Sequence, residues 1–248
     1  IFFLERNAIM LIVGEENNKK LVPLKKVVVN AWVVDMIAEV NITQIYENLE
    51  KDKIEAIYEF NISDTAAVCE FEATIDDKRK IIGIVKEAEQ AKKEYKEAIN
   101  QGYGAYLLEE KKSDIFKCSV GNIMPGQKVE IKIKYVIEMQ HDVGAESVRF
   151  ILPATIAPKY GSYVFKHKKM HLYTDSDHFP LEFIINCRMS SQIDSIISPS
   201  HPKHISKYES DGQSIAKVTL NQEKLYYLET DFILLIKSRD IDKPRQSF

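Results

Sequence analysis

Over much of its length this chain alternates apolar and polar side chains with a period of two, and that pattern fits extended strands with one buried face. Val27, Val29, Ala31 and Val33 fall on one side of such a strand. Ala38, Val40 and Ile42 fall on one side of the next, with Asp35 marking a turn at the change of phase. The pattern recurs at Ile54, Ala56, Tyr58 and Phe60, and again at Cys69, Phe71, Ala73 and Ile75. It returns at Val129, Ile131, Ile133 and Tyr135, set against Glu130, Lys132 and Lys134. Shorter runs follow at Val148–Leu152, Leu181–Cys187, Ala216–Leu220 and Phe232–Ile236. Two packed sheets let every such strand bury one face, so the expected architecture is mainly β, an antiparallel β-sandwich.

One segment changes period. Ala88, Ala91, Tyr95, Ala98 and Ile99 recur every three or four residues, and Glu89, Lys93 and Glu97 carry alternating charge at i, i+4 spacing. The spacing predicts one amphipathic helix from about Val85 to Gln101, closed by Gly102, packed on the sheets of an α+β fold. Between Ile115–Val120 and the strand at Val129, the run Gly121-Asn122-Ile123-Met124-Pro125-Gly126 has type II turn chemistry and predicts a hairpin. Gly121 and Asn122 suit backbone positions of positive φ.

A length of 248 residues accommodates one large or two smaller domains. After Gly161 the texture shifts, with five of six histidines between His167 and His204 among Ser, Pro and Asp. The expected division is an N-terminal extension over 1–20, a main domain over 21–160, a smaller β-rich unit over 161–240 and a polar tail over 241–248. The chain opens at Ile1, which reads as a fragment or a trimmed product.

Charge and composition exclude several classes of function. With 45% hydrophobic and 29% charged residues, the chain is neither disordered nor of low complexity. Its net charge of -3 implies no nucleic-acid partner. No uncharged apolar run approaches the ~18 residues a membrane-spanning helix needs, so no membrane insertion is expected. The three cysteines, Cys69, Cys118 and Cys187, are odd in number and widely spaced, which suits free thiols in a reducing, cytoplasmic setting. Against that stand two N-x-S/T triplets, at Asn41 and Asn61, which would accept glycans in a secreted chain.

No nucleophile elbow, phosphate cradle or zinc helix is present. Gly102-Tyr103-Gly104 follows a helix and lacks a third glycine, so it reads as helix termination. His201 and His204, near His178, Asp194, Ser198 and Ser200, have side chains of metal-ligating type. Pro199 and Pro202 deny that segment the helix that three-residue ligand spacing requires, and turn or surface roles are the expectation. Lys166-His167-Lys168-Lys169 with His171, Tyr163, Phe165 and Tyr173 forms a basic, aromatic stretch that reads as solvated linker on this acidic chain. The helix glutamates read as a solvated face. No catalytic residue, cofactor or metal site is expected.

The order of these residues resembles the VIT domain, the module named for vault protein and inter-alpha-trypsin inhibitor heavy chains, over about Leu21 to Tyr160. Its most specific pieces here are Gln44-x-Tyr46-x-Asn48, Glu55-Ala56-x-Tyr58-x-Phe60, Tyr95 and Ala98 followed by Gly102, Phe116 with Gly121-Asn122 and Pro125-Gly126, and Pro153 with Pro158-x-Tyr160. Asn61 departs from the proline usual in the family. The stretch from Tyr163 onward is similar to the segment that joins this module to a von Willebrand factor A domain. The resemblance implies a non-catalytic protein-interaction or scaffolding module with other proteins as partners and an A domain downstream. The Asp-x-Ser-x-Ser string of an adhesion metal site is absent from these residues. A secreted, matrix-associated chain like the inter-alpha-trypsin heavy chains is the second reading, and a metal-dependent enzyme built on His178, His201 and His204 the third. Any partner is expected on an exposed strand edge or on the outer face of the helix.

Overall fold

The computed structural model describes residues 10–13, 20–61, 63, 65–83, 108–112, 115–142, 146–157, 164–165, 168–169, 180–202, 205–210, 214–220 and 227–239. In chain order the strands are β1 (Met10–Val13), β2 (Lys20–Leu21), β3 (Leu24–Val34), β4 (Ile37–Glu47), β5 (Ile54–Asn61), β6 (Ala66–Ile75) and β7 (Arg79–Gly83). Then come β8 (Leu108–Lys112), β9 (Ile115–Ile123), β10 (Lys128–Glu138), β11 (Gln140–Asp142), β12 (Ser147–Leu152), β13 (Val164–Phe165) and β14 (Lys168–Lys169). The last are β15 (Leu181–Arg188), β16 (Ile193–Ile197), β17 (Ile205–Ser210), β18 (Ile215–Leu220) and β19 (Phe232–Ser238). The chain is mainly β, and the described helix is a single 3-10 turn at Ala154–Ile156. The amphipathic helix expected over Val85–Gln101 lies outside the described residues.

An eight-stranded sheet, ordered β17-β18-β15-β3-β4-β10-β6-β7, forms the backbone of the fold. Its alternating strands behave as the period of two requires. Val27, Val29, Ala31 and Val33 of β3 are buried beside Leu181, Phe183, Ile185 and Cys187 of β15, Ile42 of β4 and Ile133 of β10. Two smaller sheets cover that buried face. One has five strands, β2-β1-β5-β9-β8, and the other has four, β11-β12-β19-β16. Tyr58 of β5 meets Phe71 of β6 with ring centroids 5.6 Å apart, and Phe232 of β19 meets Phe183 of β15 at 5.7 Å. One continuous apolar core therefore runs under all three sheets.

Three features differ from the sequence-based expectation. The connection at 121–127 is not a hairpin: β9 pairs with β5 in the five-stranded sheet, whereas β10 inserts between β4 and β6 in the eight-stranded one. The turn chemistry is real, with Gly126 at φ 76° and the Gln127 amide donating to the Met124 carbonyl at 3.1 Å, but the turn carries the chain between layers. Gly121 takes positive φ at a bulge in β9, while Asn122 stays extended and pairs with Glu55. Second, the segment read as an N-terminal extension supplies β1, which pairs along β5 from Met10↔Glu59 to Val13↔Ala56. Third, β15 runs parallel to β3, from Leu181↔Val27 to Arg188↔Val34, and β19 pairs with β12. The strands after residue 180 thus share sheets and core with those before 160.

Candidate interaction surface

Two polar members of these motifs, Gln44 and Asn48, face inward, where they are anomalies among apolar side chains. Gln44, wholly buried on β4, donates through Nε2 to the Ile156 carbonyl at 2.8 Å and accepts the Tyr58 hydroxyl on Oε1 at 2.5 Å. This one amide ties the eight-stranded sheet to both covering layers. Burial holds the Tyr58 phenol far above its ordinary pKa, reinforced by Tyr135 beside it, so it is the proton donor of the pair. Tyr58 and Phe60 close the cluster with Phe71, whose ring stacks on Phe60 at 6.0 Å. Tyr46 is buried with them.

Asn48 performs the same service at the end of β4. Its Nδ2 donates to the Asp52 and Ile123 carbonyls at 3.0 Å each, and its Oδ1 accepts the Glu50 amide at 2.9 Å. Its backbone accepts the Gly126 amide at 2.8 Å, so the 121–127 crossing is stapled to the β4 terminus. Glu55 is exposed on β5. Pro153 precedes the 3-10 turn, where the Asp231 carboxylate accepts the Ala154 amide at 2.8 Å. Phe116 pairs with Phe60 through the backbone. Tyr95, Ala98, Gly102, Pro158 and Tyr160 lie outside the described residues.

The serine and histidine cluster is also structural. Ser198 Oγ donates to the Ile233 carbonyl at 2.7 Å, and Ser200 Oγ accepts the Ile233 amide at 2.8 Å, pinning the loop after β16 to the start of β19. His201 is buried, with Nδ1 2.9 Å from Ser200 Oγ and its ring 5.6 Å from that of Phe232. His178 and His204 lie outside the described residues, among which no group of three or more His, Cys, Asp or Glu is arranged to hold a metal.

All three cysteines are free. Burial pushes the Cys118 and Cys187 thiols up to about 12, whereas Cys69 is exposed on β6. Thiolate is the reactive form. A disulfide reagent at neutral pH is therefore expected to titrate one thiol rapidly in the native chain and all three only after unfolding, and rapid native reaction of all three would contradict the burial.

Exposed apolar side chains are found on several strands, and on the outer side of the eight-stranded sheet the two ends differ. Toward β6 and β7 it is laced by ion pairs, Glu70–Lys134 at 2.7 Å, Glu72–Lys80 at 2.7 Å and Glu130–Lys132 at 2.6 Å. At the β3–β4 turn it is apolar. One row across the strands runs Ile215, Arg188, Val34, Ile37, Glu138, and the next runs Lys217, Asn186, Trp32, Glu39, Val136. Trp32, Val34, Ile37 and Ile215 are 47%, 50%, 46% and 52% exposed. Trp32 is the chain's single tryptophan. This surface is the flat of a sheet, not the strand edge or helix face that the sequence suggested. The signal was present in the alternation, which places Trp32 and Val34 opposite the buried Ala31 and Val33.

Comparison with known proteins places the inward motifs. Residues 24–135 match the family model of the vault protein inter-alpha-trypsin domain. The chain carries a VIT domain. The match takes in β3 through β10 up to Tyr135, so the Asn48 contacts and the Gln44–Tyr58 bond lie within that domain, while the Gln44 bond to Ile156 reaches beyond it. A von Willebrand factor A domain-containing protein 5A of Rattus norvegicus is 33% identical over 235 residues, 92% of this chain and 28% of that protein. The protein mono-ADP-ribosyltransferase PARP4 of Homo sapiens is 44% identical over 144 residues, 58% of this chain and 8% of its own length. A von Willebrand factor A domain-containing protein of Dictyostelium discoideum is 27% identical over 97% of this chain and 24% of its own. The chain thus spans less than a third of each of these relatives. Two of these longer relatives are named for a von Willebrand factor A domain.

Proposed function

We propose that this chain is a non-catalytic interaction and scaffolding module that docks other proteins on the outer face of its eight-stranded sheet, around Trp32. One observation carries the reading. Gln44 and Asn48 are consumed in joining layers, while an aromatic and three aliphatic side chains lie about half exposed on the open sheet face. Aromatic residues in such settings are frequent anchors of protein interfaces. The amphipathic helix read over Val85–Gln101 belongs to the proposal as a packed element, since its alanines and Tyr95 suit close approach to a sheet. The downstream A domain is part of it too, as is a cytoplasmic location, which the free thiols favour. The transferase activity in the name of the PARP4 relative is that protein's, and nothing in this chain's described residues calls for it.

The secreted reading makes a competing demand on the same surface. Asn41 lies on the outer side of β4 in the row next to Trp32, its Nδ2 3.0 Å from Glu39 Oε1. A glycan there would cover the face on which docking is proposed. Intact-mass analysis of native material separates the two readings.

The docking function is tested by immobilising the chain and measuring recovery of bound proteins from cell extract. Losing an aromatic anchor costs about 2 kcal/mol or more, roughly thirtyfold in affinity. The double variant Trp32→Asp, Val34→Asp, with an unchanged circular dichroism spectrum, is expected to lose the partners that the unmodified chain recovers. Equal recovery by both would refute the assignment of this face.

A further inference from the structure

The arrangement of charge around Trp32 identifies an occupant. The strand β3 is the middle of the apolar corner. On one side, β15 and β18 present Arg188 and Lys217; on the other, β4 and β10 present Glu39 and Glu138. Bases and acids stand one and two strands from β3 on opposite flanks, about 5 and 10 Å away at the ordinary strand spacing. Among the described residues Glu138 and Arg188 have no ion-pair partner, in contrast to the paired charges at the other end of the sheet, while Lys217 has Glu209 of β17 opposite it in register.

We propose that this face is self-complementary and that a second copy of the chain occupies it. An isologous dimer needs a surface that matches itself after rotation by half a turn. Two in-plane axes are possible for face-to-face sheets. An axis across the strands would lay acids over acids and bases over bases. An axis parallel to β3 brings the Glu39–Glu138 flank of one copy over the Arg188–Lys217 flank of the other, stacks Trp32 and Val34 against their symmetry mates, and sets Ile37 over Arg188 of the other copy. The two β3 strands then run in the same direction, offset by the twist of the sheets. Opposite charges fix the register of such an interface, and its centre supplies the apolar contact. This rests on the reading of the Trp32 face as a docking surface and names what docks there.

Sedimentation velocity on the 248-residue chain, from low to high micromolar concentration, tests it. The expected result is a concentration-dependent doubling of the 28.6 kDa mass. Arg188→Glu with Lys217→Glu is expected to give a monomer, and so is Glu39→Lys with Glu138→Lys. An equimolar mixture of the two is expected to recover the dimeric mass, because each supplies the flank that the other lacks. Recovery on mixing also shows that neither variant is merely misfolded. A chain that stays monomeric throughout, a dimer indifferent to both charge reversals, or a mixture that stays monomeric would each overturn the proposal. If the chain is monomeric but the Trp32→Asp, Val34→Asp variant still loses captured proteins, self-association fails and the docking function stands. A separately added A domain that binds a monomer through these residues is one form of that outcome.

Discussion

A chain ending at Tyr160 is expected to be unable to fold. It lacks β15, the parallel neighbour of β3, and with it Leu181, Phe183 and Ile185; it also lacks Val218 of β18 and Phe232, Leu234 and Ile236 of β19, all of them buried. Burial of such side chains contributes about 1.5–3 kcal/mol each, so the seven together carry roughly 10–20 kcal/mol. That matches or exceeds the net stability of a typical domain, about 5–15 kcal/mol. The cut also leaves the long apolar strand β3 with an unpaired edge, which invites aggregation. Circular dichroism and size-exclusion chromatography of the truncated chain should show an unfolded or aggregated product without a cooperative thermal transition. A soluble fragment that melts near the temperature of the whole chain would mean that the later strands do not share the core described here.

The substitution Gln44→Leu is expected to be the most damaging single change on β4. Leucine fills the volume but leaves the Tyr58 hydroxyl and the Ile156 carbonyl buried without partners. Each orphaned group costs about 1–3 kcal/mol, so a loss of about 3 kcal/mol is the central expectation. For a chain of this size that lowers the melting temperature by about 6–12 °C. Gln44→Glu gives a more specific check. A protonated glutamate reproduces both hydrogen bonds, whereas its anion would be buried opposite a carbonyl. Its folded pKa is therefore raised above the unfolded value of about 4.3, and its deficit relative to the unmodified chain grows as pH rises from there. Parallel melts at acid and neutral pH measure this. A deficit independent of pH would mean that Gln44 is not enclosed between the three sheets.

The strands were legible because alternation is a local signal. Val27 to Val33 and Val129 to Tyr135 bury one face each and show it in sequence. Gln44 and Asn48 stood out only as pieces of the VIT pattern, and the structure adds the reason, since polar side chains on an apolar face require partners. The choice of partner strand was not legible. Pro125-Gly126 specifies a turn but not whether the chain turns within a sheet or passes to another, and here Asn48 holds the crossing in place. The parallel pairing of β15 with β3 joins residues some 150 positions apart, and no local pattern encodes it. Met10–Val13 was too short a run to stand out, and its pairing with β5 places it. The apolar corner escaped for a different reason. Trp32 and Val34 share one face of β3, but Ile37 and Ile215 join them only when β4 pairs with β3 and when β15 and β18 fall alongside.

Trp32 reports directly on whether this corner is where the module meets other molecules. As the single tryptophan, its fluorescence needs no engineering. In the dilute chain alone, its emission should lie near that of the denatured chain and acrylamide should quench it readily. In any stoichiometric complex the chain forms, with itself or with another protein, the emission should move to shorter wavelength and the quenching should fall. A saturated complex in which both readings remain those of the dilute chain would contradict the account.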